Sequence, residues 1–149
     1  MRALLILFAT LGLLTTATAA DHLVKVLPFL LDAQGRDSTS PSLFDRDAYQ
    51  AQLRQKTNAV SALRCAVLWN AEKSPSEKIR LRAELRAVGE RGVPKLKTLE
   101  TEVTPRFFRQ WTSLTLGGEE YQKFGAVVAW RVTLWRGDRQ LDEKKSFLW

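Results

Sequence analysis

Apolar and polar residues alternate along much of the chain beyond residue 60. The strictest alternation spans residues 79 to 87, where every second residue is apolar and every residue between is charged. A period of two places the apolar side chains on one face of an extended strand. The pattern therefore predicts a β-strand with one buried and one solvated face.

The same period begins at Leu63 and continues to Asn70. Its apolar phase places Cys65, Val67 and Trp69 on the same face as Leu63. Cys65 is the only cysteine of the chain, and this phase predicts that it is a buried, unreactive thiol. Because one cysteine cannot form a disulfide within the chain, the fold must depend on its apolar core.

Five further segments have the composition of strands. They are residues 23–31, 95–103, 109–116, 126–135 and 140–149. Pro28 cannot donate a ladder hydrogen bond, so we expect the first of these strands to lie at a sheet edge or to be bulged. In the second, the apolar phase shifts between Leu96 and Leu99, which predicts a β-bulge.

One helix is expected between the first two strands. Residues 34–41 are polar and typical of a loop, and Ser42 follows them as a candidate N-cap with Asp45 at the third helical position. Apolar residues then recur at helical spacing through about Gln55. The pattern predicts one short amphipathic helix.

Seven strands separated by turn residues, without alternating helices, favour a mainly β fold with two antiparallel sheets packed as a sandwich. This pattern, with an inward Trp69, a final apolar hairpin over residues 126–149 and Tyr121 ahead of the penultimate strand, resembles immunoglobulin-like and fibronectin-type-III-like modules. The resemblance implies an Ig-like sandwich of about seven strands. Such folds host many unrelated functions, so it implies no particular chemistry.

The N-terminal residues have the pattern of a secretory signal peptide. Met1 and Arg2 precede an apolar run over residues 3–14, and Ala17 and Ala19 then give the small-residue pattern of a cleavage site. The run is short for an uncleaved membrane anchor, the competing interpretation. We therefore expect residues 1–20 to be removed, and residues 21–149 to form one domain in the periplasm or outside the cell.

Composition argues against most catalytic chemistry. His22 is the only histidine and lies near the expected mature terminus, so neither a hydrolytic triad nor a zinc site has enough ligands. A mechanism that uses only carboxylates stays open, and Glu119 and Glu120 form the densest acidic spot. Adjacent acids on a loop usually face water, so we predict no enzyme, no metal and no cofactor.

The net charge is +7, and residues 1–20 hold one Arg and no acid, so the positive charge belongs to the predicted domain. Five basic residues on two neighbouring strands form the candidate anionic-ligand face: Arg80, Arg82, Arg86, Lys95 and Lys97. Such a face could bind acidic polysaccharide or lipid head groups, whereas nucleic acid is an improbable target for an exported protein. The alternative is an ordinary charged face that keeps the sheet soluble.

Two other features could form binding sites. Arg136-Gly137-Asp138 is a tripeptide that some cell-surface receptors recognise on an exposed hairpin, although Gly and Asp are also what a tight turn requires. The five tryptophans could form a carbohydrate platform, but Trp69 and Trp130 fall on core phases, Trp130 together with Val128. Surface roles are open to the last two, Trp135 and Trp149.

The sequence thus predicts an exported, non-catalytic β-sandwich domain that binds a protein or envelope component, or serves as an accessory module. The alternative is a binder of acidic polysaccharide or lipid head groups through the basic sheet face.

The exported protein should begin at Ala20 or Asp21, because the small-residue site follows the apolar run directly. Intact-mass analysis of the exported protein checks this expectation. Recovery of the full-length chain from the membrane fraction would show instead that residues 1–20 act as an anchor.

Overall fold

A computed structural model describes residues 21–73, 77–89 and 92–149. The predicted signal peptide, residues 1–20, lies outside the described residues, as do residues 74–76 and 90–91, which fall between predicted strands.

The described residues form seven strands, two α-helices and one short 3-10 helix. The strands are β1 (His22–Leu31), β2 (Ala62–Asn70), β3 (Ile79–Val88), β4 (Pro94–Val103), β5 (Gln110–Gly117), β6 (Val127–Arg136) and β7 (Arg139–Lys145). The helices are α1 (Leu43–Gln55), α2 (Gly118–Phe124) and the 3-10 turn Thr57–Ala59.

The strands form two antiparallel sheets, with the orders β1-β2-β5 and β4-β3-β6-β7. Their inner faces supply the buried core, as the alternation in β2 and β3 predicts. Cys65, Val67 and Trp69 are all fully buried. The prediction of a mainly β fold with two antiparallel sheets is confirmed.

Trp69 is the largest of the fully buried side chains. Its indole Nε1 donates a hydrogen bond to Thr112 Oγ1 on β5 at 2.9 Å, so the buried polar group is satisfied. The ring belongs to a core cluster with Leu81 on β3 and Val132 on β6. These contacts join the two sheets.

The first helix begins after Ser42, whose Oγ accepts a hydrogen bond from Asp45 N. A buried polar residue holds this helix to the edge strand. Gln50 accepts from Leu30 N and donates to Leu30 O and Asp37 O, each at 2.9 Å. Because this amide pairs with the free edge of β1, it closes part of that edge.

The prediction of a single helix was wrong, because α2 follows β5 directly. Gly118 opens it with a positive φ of 61°, and Gly125 ends it at 93°, conformations that favour glycine. Tyr121 and Phe124 are buried against the core cluster that contains Cys65. The helix is only seven residues long, too short to show a helical period in the sequence.

The predicted bulge in β4 was also wrong. The pairing of β4 with β3 has no register shift; Leu96 is 61% exposed, and Leu99 packs against the core. A shift occurs instead where β3 meets β6, between Arg86 and Ala87. It turns Val128 outward, to 46% exposure, so Val128 does not share the buried face.

The edge position predicted from Pro28 is confirmed, because β1 pairs only with β2 in its sheet. The one irregularity of that pairing lies between Leu23 and Lys25 rather than at Pro28. His22 is the first residue of β1 and is paired with Asn70. The chain is therefore ordered into the sheet from its first described residues.

Cys65 should resist thiol reagents in the native protein. Burial raises the pKa of this thiol to about 12, so the reactive thiolate is scarce at neutral pH and no reagent has access. We expect labelling only after denaturant is added, as measured by mass spectrometry. The variant S113C adds a thiol at an exposed position of β5 and should take up one label at once. Native labelling of wild type at the rate of that added thiol would contradict the buried placement.

Candidate functional site

The structure does not bring the five predicted basic residues onto one face. Arg80, Arg82 and Arg86 lie on the outer face of β3, but Lys95 is paired with Ala87, and Lys97 is paired with Leu85. Directly paired residues share a face of the sheet, so both lysines project on the inner side. There Lys95 Nζ donates to Lys123 O and Lys97 Nζ to Glu120, on α2.

Two of the three arginines are paired with one acid. Arg80 and Arg82 reach Glu100 on β4 at 3.1 and 2.7 Å, and the guanidinium carbon of Arg82 lies 5.2 Å from the centre of the Trp135 ring. The hydrogen bond from Arg82 is the main cause that lowers the pKa of Glu100. Both guanidinium groups are therefore already engaged within the fold, although Glu100 balances only one of the two positive charges.

The remaining arginine is covered by an aromatic ring. Trp149 lies 3.8 Å from the guanidinium of Arg86 and 4.8 Å from that of Arg131. Arg131 is also paired with Glu84 at 2.6 Å. Trp149 and Trp135 thus cover this outer face and do not form an open platform.

The arginine of the Arg136-Gly137-Asp138 tripeptide is not available to a receptor. Arg136 is 8% exposed, and its Nη2 donates to Asp21 at 2.7 Å and to Glu72 O at 3.1 Å. The hairpin turn is present, with Gly137 at a φ of 54°. The tripeptide therefore serves the turn and a buried ion pair.

Asp32 is the acid with the largest resolved pKa shift. Burial raises its pKa, but hydrogen bonds from Arg36 N, Tyr49 Oη, Arg36 Nε and Gln34 N outweigh burial and lower the pKa to about 2. A carboxylate held ionised by four donors is a poor proton acceptor. Its role is to fix the loop after β1 and its contact with α1.

The two adjacent acids singled out in the sequence do not lie in an enclosed pocket. Glu119 and Glu120 lie in the first turn of α2, with side chains 89% and 66% exposed, and are paired with Lys123 and Lys97. Within residues 21–73, 77–89 and 92–149, no three His, Cys, Asp or Glu side chains are grouped so that they could hold a metal ion.

The outer face of the three-stranded sheet has a different character. We call it the apolar face. Three cross-strand rows form it: Trp111-Leu68-Lys25, Ser113-Ala66-Leu27 and Thr115-Arg64-Phe29. These rows contain no acid, and apolar side chains are in the majority. At the far end, Arg46 of α1 covers Phe29 at 4.9 Å, so the uncovered part centres on Trp111 and Leu68.

A segment rich in aromatic and basic residues adjoins this face. Residues 104–109 join β4 to β5 and place Phe107 and Phe108 at 86% and 76% exposure, with Trp111 at 53%. The two phenylalanine rings contact each other edge to face at 4.9 Å. Gln110 Nε2 donates to Thr104 O at 2.9 Å, which ties the ends of the segment together.

Two clefts open beside these rings. The larger, about 710 Å³, is lined by residues that include Arg106, Phe108, Arg109 and Trp111. The smaller, about 290 Å³, lies between Arg106, Phe107 and the segment Asn70–Lys73. The guanidinium groups of Arg106 and Arg109 make no ion pair or hydrogen bond with the described part of the chain. Both guanidinium groups are therefore available to a ligand.

The periodic patterns of the sequence do not mark this site. Its only signal is the run Arg106-Phe107-Phe108-Arg109 directly after Pro105. Connections are usually polar, so two adjacent aromatics in one are unusual. A period of two or 3.6 cannot reveal residues that lie between regular elements.

Comparison of the chain with protein-family models, curated proteins and solved structures found no match. Neither helix of the described residues has the length and apolar character that crossing a membrane requires.

The hydrogen bonds to Asp32 should make stability depend on acid pH. A carboxylate whose pKa is lowered by folding contributes stability above its ordinary pKa of 3.8, and that contribution is lost as the pH falls towards about 2. Asp32→Asn should lower the free energy of unfolding by about 1–3 kcal/mol at neutral pH.

The difference in the free energy of unfolding between wild type and D32N should then shrink as the pH falls from about 4 to about 2. Thermal or urea unfolding at a series of pH values measures it. The control is D138N, an exposed hairpin acid, which should match wild type throughout. A constant difference between wild type and D32N across the series would show that ionisation of Asp32 is not the cause.

Proposed function

We propose that this chain is an exported, non-catalytic β-sandwich module of the Ig-like type that attaches to a component of the cell envelope. Attachment occurs through Phe107, Phe108 and Trp111 together with Arg106 and Arg109. The observation that carries the proposal is the exposure of three aromatic side chains beside two arginines that have no partner in the described chain.

The strand order differs from that of immunoglobulin constant domains in the position of one strand. Immunoglobulin constant domains place the fourth strand in the sheet of the first, second and fifth. Here β4 is paired with β3, which gives sheets of three and four strands. The shared feature is the sandwich of seven strands, whereas the inward tryptophan lies on β2 and not on the third strand.

Energetics favour a binding role for the aromatic segment. Burying a Phe side chain on association contributes about 1.5–3 kcal/mol, and contiguous exposed apolar surface usually marks an interaction site. None of the three side chains belongs to either core cluster. Their apolar character is therefore not required for packing within the domain.

The arginine face is the weaker candidate for binding acidic polysaccharide or lipid head groups. Its charges are paired with Glu84 and Glu100 or covered by Trp135 and Trp149. A ligand would first have to displace these contacts. Binding through Arg106 and Arg109 displaces no ion pair or hydrogen bond within the described part of the domain.

Replacing both phenylalanines by serine, in F107S/F108S, should weaken binding of the exported protein to an envelope preparation at least about tenfold. Co-sedimentation at a series of protein concentrations measures the affinity. The matched control is F147S/L148S, which also changes two exposed apolar residues, at 101% and 68% exposure. It should bind as wild type does.

A second variant distinguishes the two surfaces. R80E/R82E/R86E should retain binding if the aromatic segment is the site, because it leaves residues 104–111 unchanged. Loss of binding in this triple variant, with normal binding by F107S/F108S, would overturn the proposal in favour of the arginine face. Far-ultraviolet circular dichroism of each variant verifies that it is folded.

A further inference from the structure

We infer that the envelope component bound by this surface is an anionic lipid bilayer, with the aromatic rings entering the interface and the basic side chains contacting lipid phosphates. The inference rests on the proposed function and names the chemistry of its partner. The observations that carry it are charge complementarity and the shape of the aromatic segment.

Positive charge surrounds the aromatic rings. Arg106 and Arg109 flank Phe107 and Phe108 in the chain, Lys73 shares the smaller cleft with Arg106 and Phe107, and Lys25 lies in the row of Trp111 and Leu68. All four cations are exposed. Glu72 is the one acid that lines either cleft. The surface is therefore an apolar centre with a cationic rim.

This arrangement matches the layers of an anionic bilayer. Aromatic side chains favour the boundary between acyl chains and head groups. Arginine donates to phosphate oxygens in paired hydrogen bonds, and each basic residue close to an anionic surface adds attraction. Apolar centre and cationic rim would thus be satisfied at the same time.

The high exposure of the two phenylalanine rings favours a lipid bilayer over a folded protein as the partner. Phe107 and Phe108 retain 86% and 76% of their accessible surface, so most of each ring projects from the domain beside the clefts that it borders. Projecting rings can enter a fluid layer without a complementary pocket. The free guanidinium groups likewise need no fixed acid opposite them, because lipid phosphates are mobile.

Apolar and electrostatic contributions should both be necessary, since few inserted side chains or few charges bind only weakly when they act alone. This requirement can be tested by measuring how binding responds to each contribution. Binding should depend on anionic lipid, on salt and on the aromatic rings together.

The test uses the purified exported protein and vesicles of phosphatidylcholine, with or without about one third phosphatidylglycerol. Wild type should co-sediment with the anionic vesicles, bind neutral vesicles at least about tenfold more weakly, and be released as salt is raised. F107S/F108S and R106Q/R109Q should each lose about tenfold or more.

Two controls match these changes elsewhere in the domain. F147S/L148S removes two exposed apolar side chains, and R54Q/K56Q removes two exposed positive charges near the end of α1. Both should bind anionic vesicles within about twofold of wild type. If R54Q/K56Q weakens binding as much as R106Q/R109Q does, attraction follows total charge alone and the inference is overturned.

Trp111 supplies a direct measure of depth. Vesicles with brominated acyl chains should quench part of the wild-type tryptophan fluorescence, and that part should be absent in W111F. Equal quenching in wild type and W111F would place Trp111 outside the bilayer and reject the inserted geometry.

A comparison with envelope preparations separates this inference from the proposed function. If the protein ignores anionic vesicles, but binds envelope through residues 107 and 108 in a protease-sensitive way, the partner is a protein and only the lipid inference falls. If F107S/F108S binds both envelope and vesicles as wild type does, the proposed function falls as well.

Discussion

Burial of Trp69 between the two sheets is the constraint on which the rest of the structure depends. The indole requires an inward position on β2 and a hydrogen-bond partner, which Thr112 provides from β5. Because side chains alternate along each strand, an inward Trp69 and an inward Thr112 place Leu68 and Trp111 outside. The same packing that completes the core therefore creates the nearest row of the apolar face.

The two outer faces of the sandwich expose different kinds of side chain to solvent. On the four-stranded sheet, arginines and glutamates are paired across strands, and Trp135 and Trp149 lie over the guanidinium groups. On the three-stranded sheet, the rows around Leu68 contain no acid at all. Surface ion pairs contribute little to stability individually. Their main consequence here is that the guanidinium groups of the β3 arginines are already engaged by Glu100 or by tryptophan rings.

Sequence patterns predicted the regular parts of this fold and failed where the structure depends on pairing. The period of two along β2 was enough to predict that Cys65 and Trp69 are buried. Such a period does not reveal which strand is paired with which. The positions of Lys95 and Lys97 follow from their pairing with Ala87 and Leu85. Val128 faces outward because β6 has an irregularity opposite Arg86, and helix α2 was too short to leave a period.

The candidate site was missed for a related reason, and that reason also separates it from the core. Residues 104–109 belong to no regular element, so no period marks them. Their ends are held by strands β4 and β5 and by the hydrogen bond from Gln110 to Thr104. Phe107 and Phe108 pack against each other and not against the core. A site built in this way can change its side chains without a cavity forming beneath it, so its binding and the stability of the domain can be measured as separate quantities.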